Sequence, residues 1–226
     1  MTDAYAAAPQ PSHRLIPSRF PPVGLFDTVA TAADLEAVME LAGWTNDRLV
    51  AEHIDRLPKD EWVYGVPNAS VVMAAFLHAA PGGMRFNGPD LGAWYAAGDI
   101  RTAAAEVGHH LRREAVARGV PGMTRVYRAY TATLQGQYLD IRGQQSVRPE
   151  LYASNGYAEA QKFGEAVRAS GGAGILYDSL RRRTGINVVA HRPRNIAGIA
   201  QTDHFEITVS STGRNIEIRK LKARSA

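Results

Sequence analysis

The chain holds 226 residues, with 26 Lys and Arg against 22 Asp and Glu, a formal charge of +4, and no cysteine. So small a positive excess does not by itself imply nucleic-acid binding, and a chain without cysteine has no disulfide, thiolate chemistry or Cys-based zinc site. At 45% apolar and 21% charged residues it has the composition of an ordinary globular domain. No stretch approaches the ~20 apolar residues of a membrane span, and the first residues lack the apolar run of a secretory signal, so a cytoplasmic protein is expected.

Residues 1–12 are Ala/Pro-rich and are expected to form a flexible tail ahead of a single domain over 13–222. RLIPSRFPPVGLFD (14–27), interrupted by prolines, reads as an extended or edge segment. TAADLEAVMELAG (31–43) predicts a helix with Thr31 as N-cap and Gly43 as stop. NDRLVAEHIDRL (46–57) predicts a second helix, with Leu49, Ile54 and Leu57 near one face and Pro58 at its end. SVVMAAFLHAA (70–80) is apolar nearly all round and should be buried, as helix or strand; periodicity leaves the two open.

LGAWYAA (91–97) predicts a short strand. Asp99 should cap a helix over 100–118, with Ile100, Ala104, Val107 and Leu111 as its core stripe and Gly119-Val-Pro as its close. VYRAYTATL (126–134) alternates like a strand, and GYAEAQKFGEAVRAS (156–170) is an amphipathic helix ended by Gly171 and Gly172. GILYDSL (174–180), INVVAHRP (186–193), HFEITVS (204–210) and NIEIRKL (215–221) carry strand signals, the last two joined as a hairpin through STGR. Helices and strands mix, with strands concentrated toward the C-terminus, which predicts an α+β fold.

Most chemical motifs fail on inspection. Glu106 with His109 and His110 has a spacing that can hold a metal, but a second Glu-x-x-His is missing and the other histidines are scattered, so no metal is expected. GGAG (171–174) follows a helix and reads as a helix stop, not a dinucleotide loop. RKLKAR at the C-terminal end lacks interleaved aromatics and reads as a solvated run. A dispersed set remains: Arg14, Arg85, Tyr95, Glu106 and the serines of YASNGY and YDSLR. Guanidinium forks suit phosphate oxygens, a tyrosine ring offers a stacking face, and a lone carboxylate can hold sugar hydroxyls and stabilise an oxocarbenium-like centre. Together they would suit a nucleotide sugar.

These pieces resemble, in order, the RES domain family. HRLIPSR resembles its opening arginine strand, GMRFNGPDLGAWYAA its arginine segment leading to a tyrosine strand, and TAAAEV its glutamate helix. YAEAQKFGEAVRASGGAGILYDSLR resembles its second helix and serine strand, and NVVAHRPR the usual sequel. The stretch from about 28 to 80 is longer than in compact members and reads as a helical insert.

The resemblance implies an ADP-ribosyltransferase-like fold, a split, twisted β core flanked by helices. It also implies an enzyme that consumes NAD⁺ by cleaving its nicotinamide–ribose bond, as a glycohydrolase or a phosphorylase. Such a protein is commonly the toxin of a bacterial toxin–antitoxin pair, held silent by a cognate Xre-type antitoxin. NAD⁺ is then a substrate, inorganic phosphate a co-substrate for phosphorolysis, and no redox cofactor is required.

Carried over residue by residue, Arg14 would bind pyrophosphate or ribose, Arg85 would be a second phosphate contact, Tyr95 would pack on the nicotinamide end, and Glu106 would hold ribose hydroxyls. Ala160 stands where relatives often carry serine, so the family serine is assigned to Ser179 of YDSLR, with Ser154 as the alternative. Arg19 joins Arg85 and Ser154 as substrate-binding candidates. Homo-oligomerisation is left open. Two other readings share the site: an ADP-ribosyltransferase with a protein or small-molecule acceptor, and a non-enzymatic nucleotide-binding domain.

Overall fold

A computed structural model describes residues 4–20, 24–31, 33–35 and 54–222. Its centre is one nine-stranded sheet. In chain order the strands are β1 (Tyr5–Ala7), β2 (Ser12–Pro17), β3 (Trp94–Ala97), β4 (Gly122–Leu134), β5 (Gln137–Asp140), β6 (Gly174–Asp178), β7 (Ile186–Ala190), β8 (Ile196–Ser210) and β9 (Ile216–Leu221). In space they run β1-β5-β6-β7-β3-β2-β4-β8-β9. Helices α1 (Ala69–Leu77), α2 (Ile100–Ala117) and α3 (Ala158–Ala169) pack against this sheet, giving the expected α+β class.

The sheet is nearly two sheets. β2 pairs with β4 over six residues but with β3 only through His13 and Ala97. One half is therefore β1-β5-β6-β7-β3 and the other β2-β4-β8-β9, matching the split core expected from the family resemblance. Successive side chains on a strand point to opposite faces, and the core sorts accordingly. Trp94, Ala96, Leu176 and Val188 pack with α1 residues Val72, Met73 and Phe76 on one face. On the other, Ile175 and Val189 meet α3 at Ala160, and beside them Leu15, Ala97 and Ala129 meet α2 at Ala103, Ala104 and Leu111. Helices α2 and α3 thus share one face of the sheet.

α2 forms where its sequence predicts. Asp99 accepts hydrogen bonds from the Arg101 and Thr102 backbones, and Ala104 and Leu111 are buried. Its end follows the Schellman pattern, Val120 N bonding Ala115 O and Gly119 N bonding Val116 O. α3 ends the same way at Gly171 and Gly172, so GGAG is a helix stop. Most of the 70–80 stretch resolves as helix, ending at Leu77: with no period-2 alternation, α1 buries Val72, Met73 and Phe76 along its length. Thr31 caps its helix through reciprocal bonds with Asp34. Most of the helices expected over 31–43 and 46–57, including Leu49 and Gly43, lies outside the described residues, while Ile54 and Leu57 are buried.

Two expectations need correction. Residues 1–12 are not merely a tail: Tyr5–Ala7 pairs antiparallel with β5, and Gln10 Nε2 donates to the Leu134 carbonyl. β5 would otherwise be an exposed sheet edge, and β1 satisfies its backbone groups. Nor is the arginine segment an edge. β2 is central between β3 and β4, because its prolines bound the strand and leave the intervening backbone free to pair. In the basic C-terminal run, Arg219 and Lys220 lie on edge strand β9 and pair with Glu206 and Asp203. Among the described residues no helix is long and apolar enough to cross a membrane.

Candidate functional site

The candidate site lies where α2 packs on β3 and β7 beside the end of β6. Glu106 enters it from α2, and its Oε1 accepts two hydrogen bonds, from Ser179 Oγ at 2.6 Å and from Asn187 Nδ2 at 2.7 Å. Among the described residues Oε2 takes none, and it is not sealed from solvent.

A docked turn places Ser179. β6 ends at Asp178, and the chain returns to β7 through a turn closed by Ser179 N to Gly185 O. The Arg181 and Arg182 backbones donate to Ser179 Oγ at 3.1 Å each, so the hydroxyl proton is left to point at Glu106. Arg182 Nη1 clamps this turn to the start of α2, bonding Asp99 Oδ2 at 3.0 Å and Thr102 Oγ1 at 2.9 Å. Thr102 and Glu106 are one helical turn apart and share a face. A Cβ at Gly185 would lie 2.9 Å from the Thr102 side chain and 3.0 Å from Ser179 Cβ, so this close docking requires glycine.

Arg85 sits in the turn before β3, where its role is partly structural. Its Nη1 donates to the carbonyls of Leu151 and Ala153 at 3.0 and 2.9 Å, and its guanidinium lies 4.7 Å from the Tyr157 ring centre. Ser154, on the loop Arg85 holds, is exposed. Tyr95 Oη donates to Asn87 Oδ1 at 2.8 Å and accepts from Phe86 N at 2.9 Å, so the tyrosine props up the turn that carries Arg85. Burial pushes its phenol far above the ordinary value. Its ring remains partly exposed, but the hydroxyl is committed to the protein.

Arg14 occupies the split between the half-sheets. Its Nη1 donates to the Tyr95 carbonyl at 2.9 Å and its guanidinium lies 4.6 Å from the Trp94 ring centre. Nε is buried without a hydrogen-bond partner, and burial lowers the guanidinium to about 10 against the opposing influence of Tyr95. Arg14 does not touch Glu106. Arg19 is exposed, lies over Phe20 and bears on Glu114 near the end of α2 and on Tyr127 of β4, two turns of α2 away from Glu106.

Tyr177 links these groups, although its sequence does not single it out. Its ring meets Phe86 edge-on at 4.9 Å. Its hydroxyl is raised first by burial and then by Glu106 and Tyr95, and lowered by Arg85, which places it among all three. Asn187 is the second residue the sequence reading missed. Its signal was an amide inside the apolar run INVVA, where a buried polar side chain needs a partner.

The rim is basic. Burial and then Arg181, His110, Arg113 and Arg112 push His109 down to about 4; burial also lowers His110, with Glu106 opposing. Both imidazoles are therefore neutral at pH 7. Their rings stand edge-on at 5.6 Å, and among the described residues no group of three or more His, Asp or Glu gathers to hold a metal.

A solved MbcT–MbcA toxin–antitoxin complex from M. tuberculosis superimposes with a TM-score of 0.41 at 15% identity, over 58% of this chain and 74% of that one. Uncharacterized protein y4oC of Sinorhizobium fredii (strain NBRC 101917 / NGR234) is 26% identical over 209 residues, covering 88% of this chain and 83% of its own. The family model described as RES domain matches residues 53–210, more than half of the chain and the whole segment from α1 to β8. The chain belongs to the RES domain family.

Proposed function

We propose that this protein cleaves the nicotinamide–ribose bond of NAD⁺, as a glycohydrolase or phosphorylase, and serves as the toxin of a bacterial toxin–antitoxin pair with a cognate Xre-type antitoxin. Glu106 carries the reading. With Oε1 pinned by Ser179 and Asn187, Oε2 is left to face a substrate. As the N-glycosidic bond breaks, its electron pair leaves with nicotinamide, which departs neutral, and the ribose carbon becomes oxocarbenium-like. A preorganised carboxylate stabilises that charge and holds the neighbouring hydroxyls. Water or phosphate oxygen then bonds to the same carbon and releases its proton to solvent.

Arg14 suits the diphosphate. It is a partly buried cation with no carboxylate partner among the described residues, a state that an anionic ligand relieves. Arg181, in the turn that holds Ser179, adds positive charge beside the Glu106 carboxylate and favours the same anion. Membership of the RES domain family supports both the chemistry and the toxin role.

The test is a time course of purified protein with NAD⁺, with and without phosphate, and product identification by mass. Nicotinamide release abolished by Glu106→Gln is expected, and a phosphorylated ribosyl product would identify the phosphorylase. Intact NAD⁺ from folded, antitoxin-free protein would overturn the reading in favour of a transferase awaiting its acceptor or a binding domain.

A further inference from the structure

Asn187 has no part in the sequence-derived site, yet its amide reaches the carboxylate on which the proposed chemistry depends. Resting on that reading, we infer that Asn187 is a positioning residue: it selects which oxygen of Glu106 faces the substrate and registers helix α2 against the sheet.

The argument begins with strand register. On β7, Asn187 stands between Ala97 of β3 and Tyr177 of β6, so its backbone is held from both sides. The residue is 3% exposed, and its Nδ2 lies 2.7 Å from Glu106 Oε1. Ser179 reaches the same oxygen, but from a turn fixed to α2 by Arg182. The two donors therefore differ in what they report. Ser179 sits in the turn after β6, which Arg182 clamps to α2; Asn187 lies within β7, paired to Tyr177 of β6. Asn187 thus ties Glu106 to the interior of β7, while Ser179 ties it to the turn at the end of β6.

Convergence on one oxygen matters more than the number of bonds. A carboxylate held once can swing about its terminal bond and exchange its oxygens, whereas one held by two donors from different directions loses both on swinging. Oε2 is then presented along a single direction. No other group supplies this: His110 lies on the same helix, and among the described residues Ser179 and Asn187 are the donors to the Glu106 carboxylate. Since orientation of a reacting group is realised at the transition state, loss of Asn187 should lower kcat and leave KM nearly unchanged.

The experiment has two arms. In the first, steady-state nicotinamide release is measured for wild type, Asn187→Leu and Asn187→Asp, with folding checked by circular dichroism. Both variants are expected to lose about 10- to 100-fold in kcat with KM within about threefold; the aspartate variant matters because it keeps the shape if the leucine variant fails to fold. A folded variant with kcat within threefold of wild type, or one changed only in KM, overturns the role. In the second, a double-mutant cycle on urea unfolding combines Glu106→Ala with Asn187→Ala, which removes the amide without adding a charge. Coupling of at least about fivefold in the unfolding equilibrium constant is expected, and additivity overturns the pin. If wild type releases no nicotinamide, the functional reading fails while the cycle still decides whether Asn187 holds Glu106.

Discussion

Ser179 Oγ lies 2.6 Å from Glu106 Oε1, joining residues 73 apart in the chain. The hydroxyl also accepts from two backbone N–H groups, so it acts as a relay from a rigid turn to the carboxylate. A short bond to an ionised acceptor is among the stronger neutral-donor contacts available to a protein.

Removing that hydroxyl tests the relay. Ser179→Ala should lower kcat by about 10- to 100-fold and, by leaving two turn N–H groups without their acceptor, destabilise the fold by about 1–2 kcal/mol. Ser154→Ala, at an exposed position, should stay within about twofold of wild type in both respects. Nicotinamide release and urea unfolding of the two variants side by side give the comparison. Equal losses would reassign the family serine.

Arg85 makes a different prediction from the phosphate contact its sequence suggests. Because Nη1 ties down two carbonyls and the guanidinium plane stacks on Tyr157, lysine cannot replace it. Arg85→Lys should free the 151–157 loop and cost about 1–3 kcal/mol. Limited proteolysis should then cut within that loop faster than in wild type, whether or not NAD⁺ is present. A variant that resists cleavage but shows a raised KM would restore the phosphate role.

His191 sets an acid limit on stability. Its Nε2 contacts the Phe86 carbonyl, and burial, reinforced by Arg168, lowers its imidazole to about 3. The folded state therefore binds fewer protons than the unfolded state between pH 6.5 and about 3. Stability is retained above this window and lost as pH falls through it. The cost between pH 7 and pH 4.5 should be about 2–3 kcal/mol from this residue. In urea unfolding at the two pH values, His191→Gln should show a smaller loss than wild type. An unchanged difference would mean that His191 is protonated without penalty.

Gly164 on α3 faces the Arg85 turn. A Cβ there would lie 2.1 Å from the Phe86 carbonyl oxygen and 2.6 Å from its carbon, against backbone that cannot yield cheaply. Gly164→Ala should destabilise by about 2–4 kcal/mol despite alanine's better helix propensity. A melting temperature equal to or above wild type would show that α3 can shift outward at little cost.

Local chemistry was legible in the sequence wherever a few adjacent residues carry the whole signal. Asp99 before a 3.6-period apolar stripe specifies the start and buried face of α2, and a helix followed by Gly171-Gly172 specifies the end of α3. The β8–β9 hairpin was legible for the same reason, as its turn and both strands are contiguous. Partnering was not. QYLD, which becomes β5, is too short and mixed to signal a strand, and its partner Tyr5–Ala7 looks like a tail because the edge it covers is over 130 residues away.

The candidate site divides along the same line. Sequence alone determined the donors and acceptors available: Glu106 in the alanine-rich turn of its helix, the arginines, the tyrosines and the serine strand. Only the tertiary structure decided their use. Register between β3, β7 and β6 brings Asn187 to Glu106, and Arg182 docks its turn on Thr102 so that Ser179 reaches the same oxygen. The same folding commits the Tyr95 hydroxyl and Arg85 Nη1 to the protein and leaves Arg19 outside the cluster. Hydrogen bonds act over about 3 Å, so which groups meet is settled by how distant strands and helices pack, a relationship no single segment contains.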